Sequence, residues 1–181
     1  MRKALYVMGY LDDTDVEWLV QHGSHQRVTK SSTLIREGEP VDSLYILLDG
    51  CLTVTAGSLE LATLLAGEIV GEISFVDARP PLATVTAAQE SRVLAVRKGD
   101  LNAKMQEDPW FASRFYHAIA TFLADRLRMT TTRLGYGSAT QDGGADAADE
   151  MDIEMIEAVS MAAARFDRLQ KRLRSETPTP D

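Results

Sequence analysis

The chain has 181 residues, of which 45% are hydrophobic and 25% charged, enough for one globular domain with a sizeable core and an appendage. Its formal net charge of -8 argues against a protein that coats nucleic acid, because such a protein needs an excess of Lys and Arg. The single cysteine, Cys51, excludes an intramolecular disulfide and a thiolate-based zinc site.

We expect neither a secretion signal nor a membrane span from this sequence. The N-terminus is too short and too interrupted to form the apolar core of a signal peptide. No run approaches the roughly 18 apolar residues that a membrane-spanning helix needs. We therefore expect a cytoplasmic protein that does not bind a membrane.

The first part of the chain predicts one helix followed by a series of short strands. Capping residues lie at Asp12 to Thr14, and apolar side chains follow at helical spacing until Gly23. The candidate strands are 26–30, 33–35, 44–48, 51–55, 59–65, 68–70, 83–87 and 92–97. Because Asp49-Gly50 is a strong hairpin signal, we expect the fourth strand to pair back across the third. Short strands separated by turns predict a mainly β fold with flanking helices, a jelly-roll (cupin-like) β-barrel.

Residues 71–87 carry the candidate binding site. The stretch begins with Gly71 and Glu72, passes through an Arg-Pro-Pro turn at 79–81, and ends in an alternating run from Ala83. A short turn of this kind points backbone N–H groups into one concavity, which suits an anion such as a phosphate. An ionised Glu only accepts hydrogen bonds, so it can hold the hydroxyl of a sugar.

This stretch resembles the phosphate-binding cassette of the cyclic nucleotide-binding domain family, which includes bacterial catabolite activators and protein kinase A regulatory subunits. Gly71, Glu72, Ala83 and Thr84 match that cassette, and residues 37–50 resemble the early hairpin of the family. The resemblance implies that the chain folds into the barrel of that family. It also implies a regulatory protein of the catabolite-activator (Crp-like) type, which senses cAMP in signal transduction and needs no cofactor.

The chain departs from the family pattern at the arginine that pairs with the cyclic phosphate. Pro81 stands there, Leu82 follows, and the nearest guanidinium is Arg79. Because proline has neither a charge nor a backbone N–H, the usual phosphate clamp is missing. The family's cGMP binders usually carry Thr at the position of Leu82, so the resemblance favours cAMP over cGMP. The candidate ligand-binding residues are Gly71, Glu72, Ile73, Ser74, Arg79, Leu82, Ala83, Thr84, Thr130 and Thr131.

Two hypotheses about function follow from this departure and stay open. In the first, the protein is a cyclic nucleotide sensor in which Arg79 takes over the phosphate contact. In the second, the pocket is degenerate, and the fold serves as a dimerisation or scaffold module.

A long helix is predicted at 110–134, where the sequence has no Gly or Pro and its apolar side chains share one broad face. At 1.5 Å per residue this helix is about 35 Å long. In the family, two subunits pack along this helix, so the resemblance implies a homodimer. Thr130 and Thr131 occupy the place where the catabolite activator contacts adenine from both subunits.

The resemblance covers the first three quarters of the chain, and the remainder has a different composition. The predicted units are a cyclic nucleotide-binding-like domain at 1–137, an acidic flexible linker at 138–149, a helix at 150–174 and a disordered tail at 175–181. The apolar residues of the last helix repeat in heptads: Met155, Val159, Ala162, Phe166, Leu169 and Leu173. Three interpretations stay open: a coiled-coil seam between subunits, packing back onto the barrel, or docking on a partner or an acidic membrane.

The sequence offers little for DNA binding or catalysis. About 45 residues follow the long helix, and they predict one helix rather than a helix-turn-helix, so no direct DNA binding is expected. His22 and His25 lie near the end of the first helix and His117 on the long helix, a distribution that does not suit a cupin metal site. No Ser/His/Asp arrangement stands out. We therefore expect no enzyme, no catalytic or metal-binding residues, and a protein partner of unknown identity.

Overall fold

The computed structural model describes residues 9–133 and 163–172. The strands are β1 Ser24–Val28, β2 Thr33–Ile35, β3 Ser43–Asp49, β4 Cys51–Ala56, β5 Leu59–Leu65, β6 Ile69–Val70, β7 Thr84–Ala87 and β8 Ser91–Arg97. The helices are α1 Asp13–His22, α2 Glu72–Val76, α3 Lys98–Glu107, α4 Pro109–Arg133 and α5 at 163–172. Two four-stranded antiparallel sheets form, in the orders β1-β8-β3-β6 and β2-β7-β4-β5. The predicted jelly-roll fold of mainly β structure with flanking helices is confirmed.

The predicted pairing of β3 with β4 is wrong, because the two strands lie in different sheets. β3 already pairs with β8 on one edge and with β6 on the other, so no edge is left for β4. Gly50 makes the corner between the sheets with φ +101, and a Cβ there would lie 2.2 Å from the Ser91 hydroxyl. That hydroxyl accepts a hydrogen bond from the backbone N–H of Cys51 at 3.1 Å. The Asp-Gly pair therefore turns the chain from one sheet into the other.

The pleat of β3 divides the core into two clusters. Leu44, Ile46 and Leu48 face the helices and belong to the larger cluster. Leu47 points the other way and belongs to the smaller cluster, between the two sheets. Because successive side chains of a strand point to opposite faces, this apolar run serves both clusters at once. His25 also lies on a strand, β1, and not at a helix end as predicted.

The long helix α4 begins at Pro109, one residue before its predicted start, and its described residues continue to Arg133. Its buried side chains are Phe111, Phe115, Ala118, Ile119 and Phe122. They belong to the larger cluster, so this stripe holds α4 against the β3-containing sheet. Among residues 9–133 and 163–172, no helix is both long and apolar enough to cross a bilayer.

The C-terminal helix α5 packs back onto the barrel. Phe166 and Leu169, two of the predicted heptad positions, are buried in the larger cluster. Side chains buried there are not available for a seam between subunits, so packing onto the barrel describes residues 163–172. The other four heptad positions, the predicted linker and the predicted tail lie outside the described residues.

Candidate functional site

Glu72 is the first residue of α2 and is only 2% exposed. Gly71 precedes it with φ +90, a left-handed conformation that glycine adopts without strain. A Cβ at Gly71 would lie 2.9 Å from the backbone oxygen of Ser43, so the chain also passes β3 too closely for a side chain. The glycine therefore allows the turn that brings the carboxylate of Glu72 inside the domain.

The partner of Glu72 is Arg126 on the long helix. The Nη1 group of Arg126 donates a hydrogen bond to Oε1 of Glu72. The guanidinium also lies over the ring of Phe122, with 5.5 Å between the guanidinium carbon and the ring centroid. Burial raises the pKa of Glu72 above its usual value, and the positive charge of Arg126 opposes that rise. The pair joins the cassette directly to α4.

Arg126 is a site residue that the sequence analysis missed. It follows Phe122 by four positions, so it continues the buried stripe of α4 that begins at Phe111. A cation on such a stripe needs a carboxylate partner, because an unpaired charge is costly to bury. The spacing of Arg126 from Phe122 was the feature of the sequence that could have identified Arg126.

A second cation that was not predicted, Lys98, begins α3 near the cassette. Burial lowers the pKa of Lys98, while the charges of Asp42, Asp77 and Glu72 oppose that shift. The backbone N–H of Lys98 donates to the carbonyl of Asp42 at 2.9 Å. Lys98 is thus near enough to Glu72 for their opposite charges to interact.

The structure does not bring Arg79 to Glu72. The Nε group of Arg79 donates to the Asp77 carboxylate at 2.9 Å, and its side chain is 80% exposed. The backbone N–H of Arg79 donates to the same carboxylate at 3.0 Å. These contacts hold Arg79 at the solvent-exposed turn after α2.

The remaining cassette residues have mainly structural contacts. The Pro81 carbonyl accepts a hydrogen bond from Gly38 at 2.9 Å, and the hydroxyl of Thr84 accepts one from the backbone of Glu37 at 3.1 Å. Leu82 is 81% exposed. Ser74 is buried, Ile73 is about half exposed and Ala83 packs against the smaller core cluster.

Thr130 and Thr131 lie on the last turns of α4 and are both exposed. Each hydroxyl donates to the carbonyl four residues earlier, on Arg126 and Leu127 respectively, at 2.9 Å. These bonds stay within the helix. Among the described residues, no group of three or more His, Cys, Asp or Glu side chains is arranged to hold a metal ion.

Comparisons with known proteins bear on the family and the fold of this chain. Residues 25–108 match the family model described as the cyclic nucleotide-binding domain. The cAMP-activated global transcriptional regulator CRP of Salmonella typhimurium is 26% identical over 129 residues, which cover 68% of this chain. The match spans 60% of the length of that regulator, so this chain corresponds to only part of it.

Solved structures extend the comparison. The N-terminal domain of a transcriptional regulator from Streptomyces coelicolor A3(2) is 30% identical, covering 80% of this chain and 99% of that chain with a TM-score of 0.58. A cyclic nucleotide-binding domain from Methylobacillus flagellatus has a TM-score of 0.66 at 20% identity, covering 74% of this chain and 82% of that chain. The second likeness is one of fold.

Proposed function

Because this chain belongs to the cyclic nucleotide-binding domain family, we propose that it is a non-enzymatic, cytoplasmic sensor that binds a cyclic nucleotide, preferably cAMP. The observation that carries the proposal is the contact between Glu72 in the cassette and Arg126 on α4. The CRP relative, which is named as cAMP-activated, supports the choice of nucleotide.

The chemistry of this pair suits a nucleotide. The carboxylate of Glu72 accepts a hydrogen bond from a ribose hydroxyl. Arg126 has five N–H donors, and the bond to Glu72 leaves others free to bind a phosphate oxygen. Arg126 therefore takes the role that the sequence assigned to Arg79, with Lys98 adding positive charge nearby.

The same pair also links nucleotide binding to the arrangement of α4. A ligand that hydrogen-bonds to Glu72 and Arg126 changes the contact that joins the cassette to α4. It shifts the protein toward one arrangement of α4 only if it binds the two arrangements with different affinity. Thr130 and Thr131 then cap the base, exchanging the bonds within their own helix for bonds to the nucleotide.

The outer face of α4 supports a homodimer. Its exposed positions follow alternating steps of three and four residues: Trp110, Ser113, His117, Ala120, Ala124, Leu127 and Thr131. This spacing is that of a seam between two helices. Trp110 and Leu127 are large apolar side chains at 77% and 67% exposure, and the small alanines between them allow close approach. In a dimer through this face, each Thr131 would also lie near the second subunit.

Isothermal titration calorimetry on nucleotide-free protein tests the proposal. We expect cAMP to bind more tightly than cGMP, and Glu72→Gln and Arg126→Met each to weaken cAMP binding by tenfold or more, the scale of one charge-assisted hydrogen bond. Arg79→Ala is the matched control and should bind as the wild type does, because Asp77 holds Arg79 at the turn. If cAMP in large excess gives no heat of binding and no change in the melting temperature, the sensor hypothesis is wrong.

One observation favours the second candidate function, a scaffold with a silent pocket. Arg79 pairs with Asp77, and Pro81 and Leu82 offer no charge in its place. If the calorimetry detects no nucleotide while the protein remains a dimer, the scaffold is the function that the fold supports.

A further inference from the structure

The helices α1 and α5 meet along matching faces. The groove between them is lined on α1 by Asp13, Val16, Glu17 and Val20, and on α5 by Arg165, Arg168, Leu169, Lys171 and Arg172. Apart from Lys171, both sets follow the spacing i, i+3, i+4, i+7, which places four side chains on one side of a helix. Each helix therefore presents one amphipathic face to the other, acidic on α1 and basic on α5.

Apolar contacts and hydrogen bonds to backbone carbonyls hold α5 in place. Phe166 and Leu169 are 8% and 1% exposed, and they pack in the same cluster as Val16 and Val20. The side-chain amide of Gln170 donates to the backbone carbonyl of Leu48 at the end of β3. The helix thus contacts α1 and the end of a central strand.

The charges of the two helices are complementary. Nε of Arg165 lies 2.8 Å from the Asp13 carboxylate, and Nη1 of Arg168 lies 3.1 Å from it. Arg172 reaches Glu17 at 2.9 Å. The side chain of Arg165 is only 11% exposed, but that of Asp13 is 58% exposed, so water and salt screen this pair as they screen the outer pairs. The hydrogen bond from Arg165 lowers the pKa of Asp13 below its usual value.

The charged edge of the contact lies at the surface, where the side chains of Arg168 and Arg172 are 63% and 54% exposed. An open groove of about 490 Å³ runs along this edge and is lined by residues of α1 and α5. The contact therefore resembles a docking surface, held by two apolar side chains and a row of charges.

We propose that the acidic face of α1, together with the end of β3, is a recognition site for a basic amphipathic helix, and that α5 occupies it as an exchangeable ligand within the same chain. The recognised pattern is Arg-Phe-x-Arg-Leu-x-x-Arg, residues 165–172. This proposal does not depend on nucleotide binding.

The tether makes the site hard to detect in the wild type. A segment linked to its own site competes at an effective concentration on the order of millimolar. A separate peptide with the same sequence cannot displace it at micromolar concentration. The same peptide will fill the site once the built-in helix has been weakened.

The test is therefore a titration of the full chain with a fluorescein-labelled peptide of residues 160–175, followed by fluorescence anisotropy. The variant Arg165→Glu/Arg168→Glu vacates the site, and we expect it to bind the peptide at least tenfold more tightly than the wild type. Adding Asp13→Arg to this variant should abolish peptide binding, because the new arginine repels the peptide and also pairs with the two glutamates introduced on α5. Ala164→Glu, on the exposed side of α5, is the matched control and should behave as the wild type does.

Three results would overturn the proposal. They are a folded double variant that binds no peptide at millimolar concentration, equal binding to the wild type and the variant, and full binding after Asp13→Arg. If circular dichroism shows that the double variant does not fold, Arg168→Glu alone replaces it, since that side chain is 63% exposed. The same comparisons then apply with a smaller fold-change.

Discussion

The pair formed by Glu72 and Arg126 makes a quantitative prediction about stability. Glu72 is 2% exposed, whereas the side chain of Arg126 is 29% exposed, so water reaches one end of the pair. Removing one partner of a fully buried ion pair costs about 3–5 kcal/mol. Because this pair is partly open to water, we expect the lower end, about 3 kcal/mol, for Arg126→Met.

A double-mutant cycle isolates the interaction from the other effects of each substitution. Glu72→Gln keeps an acceptor for Arg126 and buries no charge, so we expect it to cost about 1.5 kcal/mol. The double variant leaves a buried amide without its partner and should cost about 2 kcal/mol in total. The two single costs then exceed the cost of the double variant by about 2.5 kcal/mol, which is the coupling energy.

Urea unfolding at neutral pH measures each free energy of unfolding by linear extrapolation. Costs that add to within about 0.5 kcal/mol would refute the reasoning, because they would mean that the two side chains do not interact. A variant whose free energy of unfolding falls with urea concentration at a different slope is left out of the cycle, because a changed slope indicates a different unfolding transition.

The pH dependence of the Arg126→Met variant gives a second check. Burial already raises the pKa of Glu72 above 4.5, and without Arg126 the pKa rises further. A carboxyl with a higher pKa in the folded state holds its proton more tightly there, so stability is lost as pH rises through that folded-state pKa. The stability deficit of Arg126→Met should therefore shrink as the pH falls toward 4.5. A deficit that is constant with pH would contradict this account.

Two further substitutions test contacts of the long helix. Asp15 is 2% exposed and accepts hydrogen bonds from Nε and Nη2 of Arg114 at 2.6 and 2.8 Å. Asp15→Asn keeps one acceptor oxygen and loses the other, so it should cost about 2 kcal/mol in urea unfolding. The matched control Asp100→Asn, in a surface pair with Arg97, should cost less than about 1 kcal/mol, and equal costs would argue against a buried clamp between α1 and α4. Ala124→Glu, on the exposed face of α4, should shift the protein from dimer to monomer in light scattering; an unchanged mass would place the dimer contact elsewhere.

The family and the turn that carries Glu72 could be read from the sequence. Gly71 and Glu72 are adjacent in the chain, and the glycine is required by the backbone of the turn itself, so a local pattern was sufficient. Runs of β-prone residues between turn signals similarly predicted short strands, since both are visible in a single segment.

The pairing of those strands could not be read in the same way. Asp49-Gly50 predicts a turn, and the turn exists, but the same residues serve a hairpin or a corner between sheets. β8 and β6 come later in the chain and occupy both edges of β3, so β4 cannot pair with β3. Local turn chemistry holds no information about which edges are already taken.

What the sequence by itself determined, then, is the set of local elements and the cassette, because each depends on neighbouring residues. The tertiary structure alone decided the partners of the charged groups. Glu72 is paired with Arg126 and not with a residue of its own turn, while Arg79 is held by the adjacent Asp77. Arg165 similarly finds Asp13 at the other end of the chain. An ion pair depends on distance in space, and only the packing of α4 and α5 against the sheet brings these charges together.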